Sequence, residues 1–482
     1  MDDQAHAEDI LSDAPDHGSL APAAGSFGRA AGEDHDEIQA ADAITATRVV
    51  RGGDYDVAVV GASLAGCTAA ILLARAGARV ALVEKSPDSQ AFKRICSHYI
   101  QSSAVATLER LGLLEPMMQA GAVRSRIRMW TRWGWIESPE KSVVPSGVNL
   151  RRERLDPLIR ELAAETPGVE LMLGYAVQEL VREGEHVCGV RARDPHGQTI
   201  ELRTRLVVGA DGRDSRVAKL AGVRTKTAPH GRIAYGGYYE GPAPAGAPAA
   251  TLWLLDPDMA AAFTTDSGHT FYAAMPTKDR LPEFRDDPAA ALEKLVASVP
   301  DAPPIAASRL VEPVVGKIDM TNVLHTPTAP GLALVGDAAG ALDPLWGVGC
   351  GFALQSSEWL ADSVSPALSG AESLQRGLKR YRRRHALGLG GHTRTILDYA
   401  TGRKINAGEK MLFSAASRDE RTGRVFEAFG SRNIGPVRMI ASAVPLVMFA
   451  GARRSISQRA GSQTPSVPVA TPTGGGASEA RR

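Results

Sequence analysis

The stretch DYDVAVVGASLAGCTAAILLARAGARVALVEKS (54–86) constrains this chain more than any other. An apolar run, Val57–Val60, leads into a glycine turn, an Ala/Leu-rich stretch over Ala65–Ala76 and a second apolar run over Val80–Glu84. Short apolar runs bounded by glycine, with helix formers between them, predict strand, helix and parallel strand, a βαβ unit buried on both faces. The turn reads Gly61-Ala62-Ser63-Leu64-Ala65-Gly66 and sits where the strand passes into the helix. Free backbone N–H groups and the helix dipole make such a turn a seat for pyrophosphate. Gly61 permits the tight turn and Gly66 permits close approach of helix to strand. Ser63 stands where a further glycine is usual, a small change that a hydroxyl side chain tolerates. Glu84, followed by Lys85, closes the second strand about 20 residues on, where an acidic group meets a ribose hydroxyl. Together these features predict a dinucleotide-binding unit.

Two later stretches decide which nucleotide. RLVVGADGRDSRVAKLAG (205–222) carries Asp211, and LALVGDAAGALDPLWGVGCG (332–351) places Asp337 between two glycine clusters. The first resembles the Asp-Gly motif of the single-component flavoprotein aromatic hydroxylases, the family of p-hydroxybenzoate hydroxylase. The second resembles their Gly-Asp motif followed by Pro-x-x-Gly-x-Gly. Three such motifs in this order span roughly residues 54–375.

The resemblance implies an FAD enzyme of α/β class: a Rossmann-like FAD-binding domain with a parallel sheet, a mostly antiparallel substrate-binding sheet, and C-terminal helices. It implies that Gly61, Ala62, Ser63, Leu64, Ala65, Gly66, Glu84 and Lys85 hold the ADP half of FAD, with Lys93 or Arg94 beside the pyrophosphate. By the same resemblance Arg152, in NLRRERLDP, contacts the flavin nucleotide, and Val177 offers a backbone contact to adenine. Asp211 belongs to the Asp-Gly motif, and Gly336 and Asp337 serve ribitol. Pro344, Gly347, Val348, Gly349, Cys350 and Gly351 form a turn feeding a helix whose N-terminus faces the isoalloxazine. The positive end of a helix stabilises the charge that reduced flavin carries near N1 and C2=O. Glycines there let backbone approach a flat ring.

The expected organisation is a tail over 1–52, FAD-binding segments over 53–224 and 316–373, a substrate-binding sheet over 225–315, a helical region over 374–455 and a second tail over 456–482. A net charge of +1 gives no argument for nucleic acid. Cys67, Cys96, Cys188 and Cys350 form no Cys-x-x-Cys pair and are too scattered for a disulfide framework or a zinc site, so a cytoplasmic protein without metal is expected. The run MIASAVPLVMFAGA (439–452) contains Pro445 and is shorter than the ~20 residues of a spanning helix, which leaves contact with a membrane surface open.

For the reaction, the resemblance implies an NAD(P)H-consuming monooxygenase. It would hydroxylate or epoxidise a hydrophobic aromatic or polyketide-like molecule with molecular oxygen, through a flavin C4a-hydroperoxide. Departures at Gly340, Gly351 and Lys219, and the stretch KRICSHYIQSSAVATLERLGL (93–113), look closer to the geranylgeranyl-reductase and halogenase branches. A reductase that saturates an isoprenoid or polyketide double bond is therefore the alternative. Trp133 and Trp135 in RWGWIESP come near the halogenase Trp-x-Trp signature, at the wrong spacing and too early in the chain. Dithiol reductases need a second GxGxxG unit and a redox cysteine pair, and neither is visible. NAD(P)H is then expected to reach the flavin transiently. His98 is the one weak candidate for catalysis, and Tyr238, Tyr239 and Trp253 are candidate pocket wall.

Overall fold

The apolar runs at Val57–Val60, Val80–Glu84, Leu206–Gly209 and Leu332–Leu334 are almost entirely buried strands, and they stack side by side. The computed structural model describes residues 50–137 and 144–447, all in the unit that begins at Thr47. Pro139 and most of both expected tails lie outside the described residues. The boundary expected at residue 53 falls inside a strand, Val50–Asp54, which pairs with Thr199–Arg203.

A six-stranded sheet has the order Thr328–Ala329, Leu332–Leu334, Leu206–Gly209, Val57–Val60, Val80–Glu84, Val169–Leu173. Its pairings are parallel except at the first, edge strand. The helix Leu64–Arg75 crosses from Val57–Val60 to Val80–Glu84 and buries 11 of its residues, from Leu64 through Ala74. One of its flanks meets Gly349–Leu368, a 20-residue helix that opens in the second glycine stretch. Behind that lies Leu374–Tyr399, whose fully buried Tyr381 donates a hydrogen bond to the Leu334 carbonyl at 2.6 Å.

A second, ten-stranded sheet is mainly antiparallel. Its centre is Ala234–Glu240, His269–Met275, Met259–Thr264 and Ala249–Leu254, and it is extended by Val123–Thr131, Gly147–Asn149 and Tyr99–Ile100. The sheet expected over 225–315 therefore recruits strands from earlier in the chain. Both faces are apolar, and the period of two sorts them. Phe271, Ala273 and Met275, with Ala261, Phe263 and Leu252, share a cluster with Leu345 and Trp346 of the second glycine stretch. Tyr272, Ala274, Ala260, Ala262 and Trp253 point the other way, against Phe284, Leu292 and Leu295 of two helices, Leu281–Arg285 and Pro288–Ala297.

Further helices, Ala407–Ala416, Glu420–Gly430 and 436–447, complete the described chain. No helix among the described residues is long and apolar enough to cross a membrane. The 436–447 helix buries Met439 and Ala443 and exposes Val437, Ile440 and Val444.

Tyr381→Phe removes the one bond that ties the long helix to a central strand carbonyl. It is expected to cost ~1 kcal/mol in urea unfolding, the usual net value of such a bond, without changing the circular dichroism of the folded protein.

Candidate active site

Both glycine stretches place a helix N-terminus with nothing anionic on it. The Leu64–Arg75 helix begins at Ser63, whose side chain makes no capping bond, and its first turn holds no acid. The Gly349–Leu368 helix begins at Val348 with the same two features. Uncapped N–H groups at the positive ends of two long helices suit anionic groups. The chain thus offers two such ends to one ligand.

Around the first turn, the backbone leaves no room for side chains. Gly61 has φ +103°, and a Cβ on it would lie 2.6 Å from the Ala210 carbonyl oxygen; one on Gly66 would lie 1.7 Å from the Gly61 oxygen. Glu84 accepts from the N–H of Ala62 at 2.8 Å and from that of Ser86 at 2.9 Å, so the carboxylate ties the strand end to the turn. Lys85 is exposed. Leu64 and Ala65 are buried in the core cluster beneath the turn. Val177 is likewise a core side chain, on the strand Ala176–Glu183. Asp211 accepts from the Ser215 hydroxyl at 2.6 Å and the Val217 N–H at 2.9 Å, which commits both its oxygens to the turn before the short helix Arg216–Ala221.

Arg152, the first residue of the helix Arg152–Glu165, joins the two stretches. Its guanidinium is buried, pairs with Asp156 one turn on at 2.6 Å, donates to the Ser63 hydroxyl at 2.7 Å and lies 3.9 Å from the Cys350 sulfur. Burial works against its charge, but Asp156 more than compensates and holds the guanidinium above its ordinary pKa. Sequence reading missed Arg160, which donates to the carbonyls of Ala62, at 3.1 Å, and of Ser89 and Ala91. The i, i+4, i+8 spacing of Arg152, Asp156 and Arg160 was the available signal: it puts all three on one helix face.

In the second stretch, Gly336 takes φ +57° and donates its N–H to the Ser356 hydroxyl at 2.9 Å; a Cβ on it would press on Ala65 of the first helix. Asp337 accepts from Lys93 at 2.8 Å. Burial opposes its charge, and Lys93, aided by Arg213, prevails to hold its carboxyl below the usual range. Of the two basic neighbours, Lys93 and not Arg94 makes the ion pair with Asp337. Pro344 opens a short turn capped by Asp343, and Gly347 follows in the left-handed region, φ +58°, its carbonyl bonded by Gln101 at 2.8 Å. Val348 packs into a core cluster with Phe352. Around Gly349 there is open space, as access to a flat ring requires, but Gly351 differs: a Cβ there would lie 2.6 Å from both Arg432 and Gln101. The missing side chain at Gly351 makes room for the protein's own polar groups.

His98 lies between these stretches and the antiparallel sheet. It is buried, with the uncommon backbone φ of 60°. Its Nδ1 accepts the Arg152 backbone N–H at 2.8 Å, so the neutral ring carries its proton on Nε2, which faces the Tyr238 hydroxyl. Burial pushes its pKa down to about 4. Tyr238 packs on Phe271, and burial first, then the Cys96 sulfur, hold its phenol protonated far above the ordinary value. The other candidate wall residues go elsewhere. Tyr239 and Trp253 lie on the far face of the sheet, Trp135 packs on Trp253 and bonds Asp301, and Trp133 stacks on Phe413.

A family model described as an FAD binding domain matches residues 54–279. A digeranylgeranylglycerophospholipid reductase of Methanothrix thermoacetophila is 28% identical over 348 residues, covering 68% of this chain and 83% of that protein. The 6-methylpretetramide 4-monooxygenase of Streptomyces rimosus is 34% identical over 177 residues, covering 36% of this chain and 42% of its own. Among solved structures, a variant of PqsL from P. aeruginosa superposes with TM-score 0.63 at 22% identity, over 78% of this chain and all of that one. The myxobacterial chondrochloren halogenase CndH gives 0.64 at 21%, over 80% and 99%.

Two outcomes are expected of this geometry. Asp337→Ala should purify largely without flavin absorbance, whereas full yellow occupancy would remove Asp337 from cofactor binding. For His98, the folded pKa lies below the unfolded 6.5, so its contribution to stability is complete above that value and is lost as pH falls toward about 4. Burial pushes His385 and His392 down to about 4 as well, so urea unfolding at pH ~7 and ~5 is expected to show a loss of stability that is about 1–2 kcal/mol smaller in His98→Asn than in the wild type. With two uncapped helix ends, the bridging Arg152, an FAD binding domain matched over residues 54–279 and the fold that it shares with PqsL and CndH, this protein is an FAD-dependent oxidoreductase.

Proposed function

We propose that this chain is an FAD-dependent reductase that saturates a carbon–carbon double bond in a long apolar substrate of isoprenoid or polyketide type, with NAD(P)H as a diffusible electron donor. One observation carries the reading: the oriented proton of Tyr238. Bound FAD would supply a hydride equivalent to one carbon of the double bond. The chain must then deliver a proton to the other carbon. Because His98 Nδ1 is occupied by the Arg152 N–H, its Nε2–H points into the phenol oxygen, and the Tyr238 proton is left free to donate away from the imidazole. As that proton leaves, the same Nε2–H stabilises the phenolate. Oxygen insertion, by contrast, calls for a dry pocket and no acid.

The surface beside Tyr238 suits an extended apolar chain. Gly236, Ala273 and Ala261 pair in a row across three strands, flanked on the same face by Phe271 and Phe263 on one side and Met275 and Met259 on the other. The row is an apolar surface, packed in one cluster with Leu345 and Trp346 of the second glycine stretch, with the Phe271 ring lying against Gly236. The relatives support the same reading. The archaeal reductase aligns over most of both chains, while the pretetramide monooxygenase aligns over less than half of either.

The test is a strictly anaerobic turnover of dithionite-reduced holoprotein with a geranylgeranyl-bearing glycerolipid. The expected product has gained two hydrogens, both of them deuterium when the solvent is heavy water, because dithionite supplies only electrons. Product that forms only with oxygen, and carries it, would overturn the proposal in favour of the monooxygenase. Tyr238→Phe is expected to slow hydrogenation by ~10²–10⁴ while leaving flavin content unchanged.

A further inference from the structure

Cys96 and Cys350 are separated by 254 residues of chain, yet their sulfurs lie 3.7 Å apart. Cys96 is on the segment between the first βαβ unit and the strand Tyr99–Ile100; Cys350 is in the first turn of the helix Gly349–Leu368. The backbone N–H of His98 donates to the Cys96 sulfur at 3.2 Å. The buried Arg152 guanidinium lies 3.9 Å from the Cys350 sulfur. A backbone donor and a cation thus flank a pair of thiols, an environment that favours a thiolate.

The two sulfurs are unequal. A hydrogen bond from Cys350, with Arg152 and Lys93 nearby, holds Cys96 well below the ordinary thiol range in spite of burial. Cys350 is pushed up by the same bond and by its own burial. Cys67 is driven up to about 12 by burial, and Cys188 is raised for the same reason. Of the four free cysteines, Cys67, Cys188 and Cys350 are buried, whereas Cys96 is half-buried and has the Cys350 sulfur within reach.

We propose that Cys96 and Cys350 form a peroxide-sensitive pair that closes to a reversible disulfide between the two motif-bearing segments. The Cys96 thiolate attacks one oxygen of hydrogen peroxide, the O–O bond breaks, and hydroxide leaves to become water, giving a sulfenic acid on Cys96. The Cys350 sulfur, giving up its proton, attacks the Cys96 sulfur; the S–S bond forms, the S–O bond breaks, and a second water departs. The two sulfurs together lose two electrons and the peroxide gains two. Closure brings the sulfurs from 3.7 Å to the ~2.05 Å of a disulfide. It also removes the thiolate from beside the His98 N–H and Arg152, and fixes the Lys93–His98 segment to the helix that starts at Gly349.

The test uses full-length holoprotein, hydrogen peroxide and no substrate. After treatment, denaturation and alkylation, two of the four thiols are expected to be lost together and recovered with dithiothreitol, with one cross-linked peptide containing Cys96 and Cys350. In Cys350→Ala, where the disulfide cannot form, dimedone should label Cys96. Four unchanged thiols in the wild type, irreversible sulfinic acid on Cys96 with Cys350 still free, or no dimedone label in Cys350→Ala would each overturn the proposal.

Discussion

A single buried cation organises this protein's working region. Placing Arg152 in the interior carries a desolvation cost of several kcal/mol, and such a charge persists only where partners are well placed. Asp156 supplies the opposite charge from the next turn of the same helix, so the pair forms as the helix forms. Arg152 then reaches three separate pieces of chain, two through its guanidinium and one through its backbone. It holds Ser63 of the first glycine turn and approaches Cys350 of the second, while the Arg152 backbone N–H sets the tautomer of His98. These contacts join the first glycine turn, the second glycine stretch and the His98 segment around one cation. Loss of the arginine would leave Asp156 charged and unpaired in the same place.

The antiparallel sheet is the second half of the design. Strands alternate, and here both faces are apolar, so each strand serves two cores at once. Tyr239, Tyr272 and Trp253 go to the face sealed by helices, together with Ala260, Ala262 and Ala274. Gly236, Ala261 and Ala273 go to the other face with Phe263, Phe271, Met259 and Met275, beside Tyr238. That face is an apolar wall on which the Tyr238 phenol meets the neutral His98 imidazole.

Much of the nucleotide half was legible in the sequence because its requirements are local. Gly61, Gly66 and Glu84 act within one βαβ unit, where strand, turn and helix are consecutive and the steric demand for glycine is absolute. Arg152 was identifiable through family resemblance, and Arg160 could have been found from helical spacing. Less was legible where neighbours come from far along the chain. At Gly351, expected to face the ring, Gln101 and Arg432 occupy the room that a side chain would take. Between Lys93 and Arg94 the sequence offered no choice; the turn geometry directs Lys93 alone toward Asp337.

By itself, then, the sequence determined the class of cofactor and the layers of the fold, since strand periodicity, glycine sterics and helix-end chemistry act over a few residues at a time. Only the tertiary structure decided what faces that cofactor. Two of four cysteines without a motif became a pair at 3.7 Å, and an isolated histidine met the hydroxyl of a tyrosine 140 residues away. Such contacts arise where separate segments pack against a common buried charge, and no spacing along the chain encodes them.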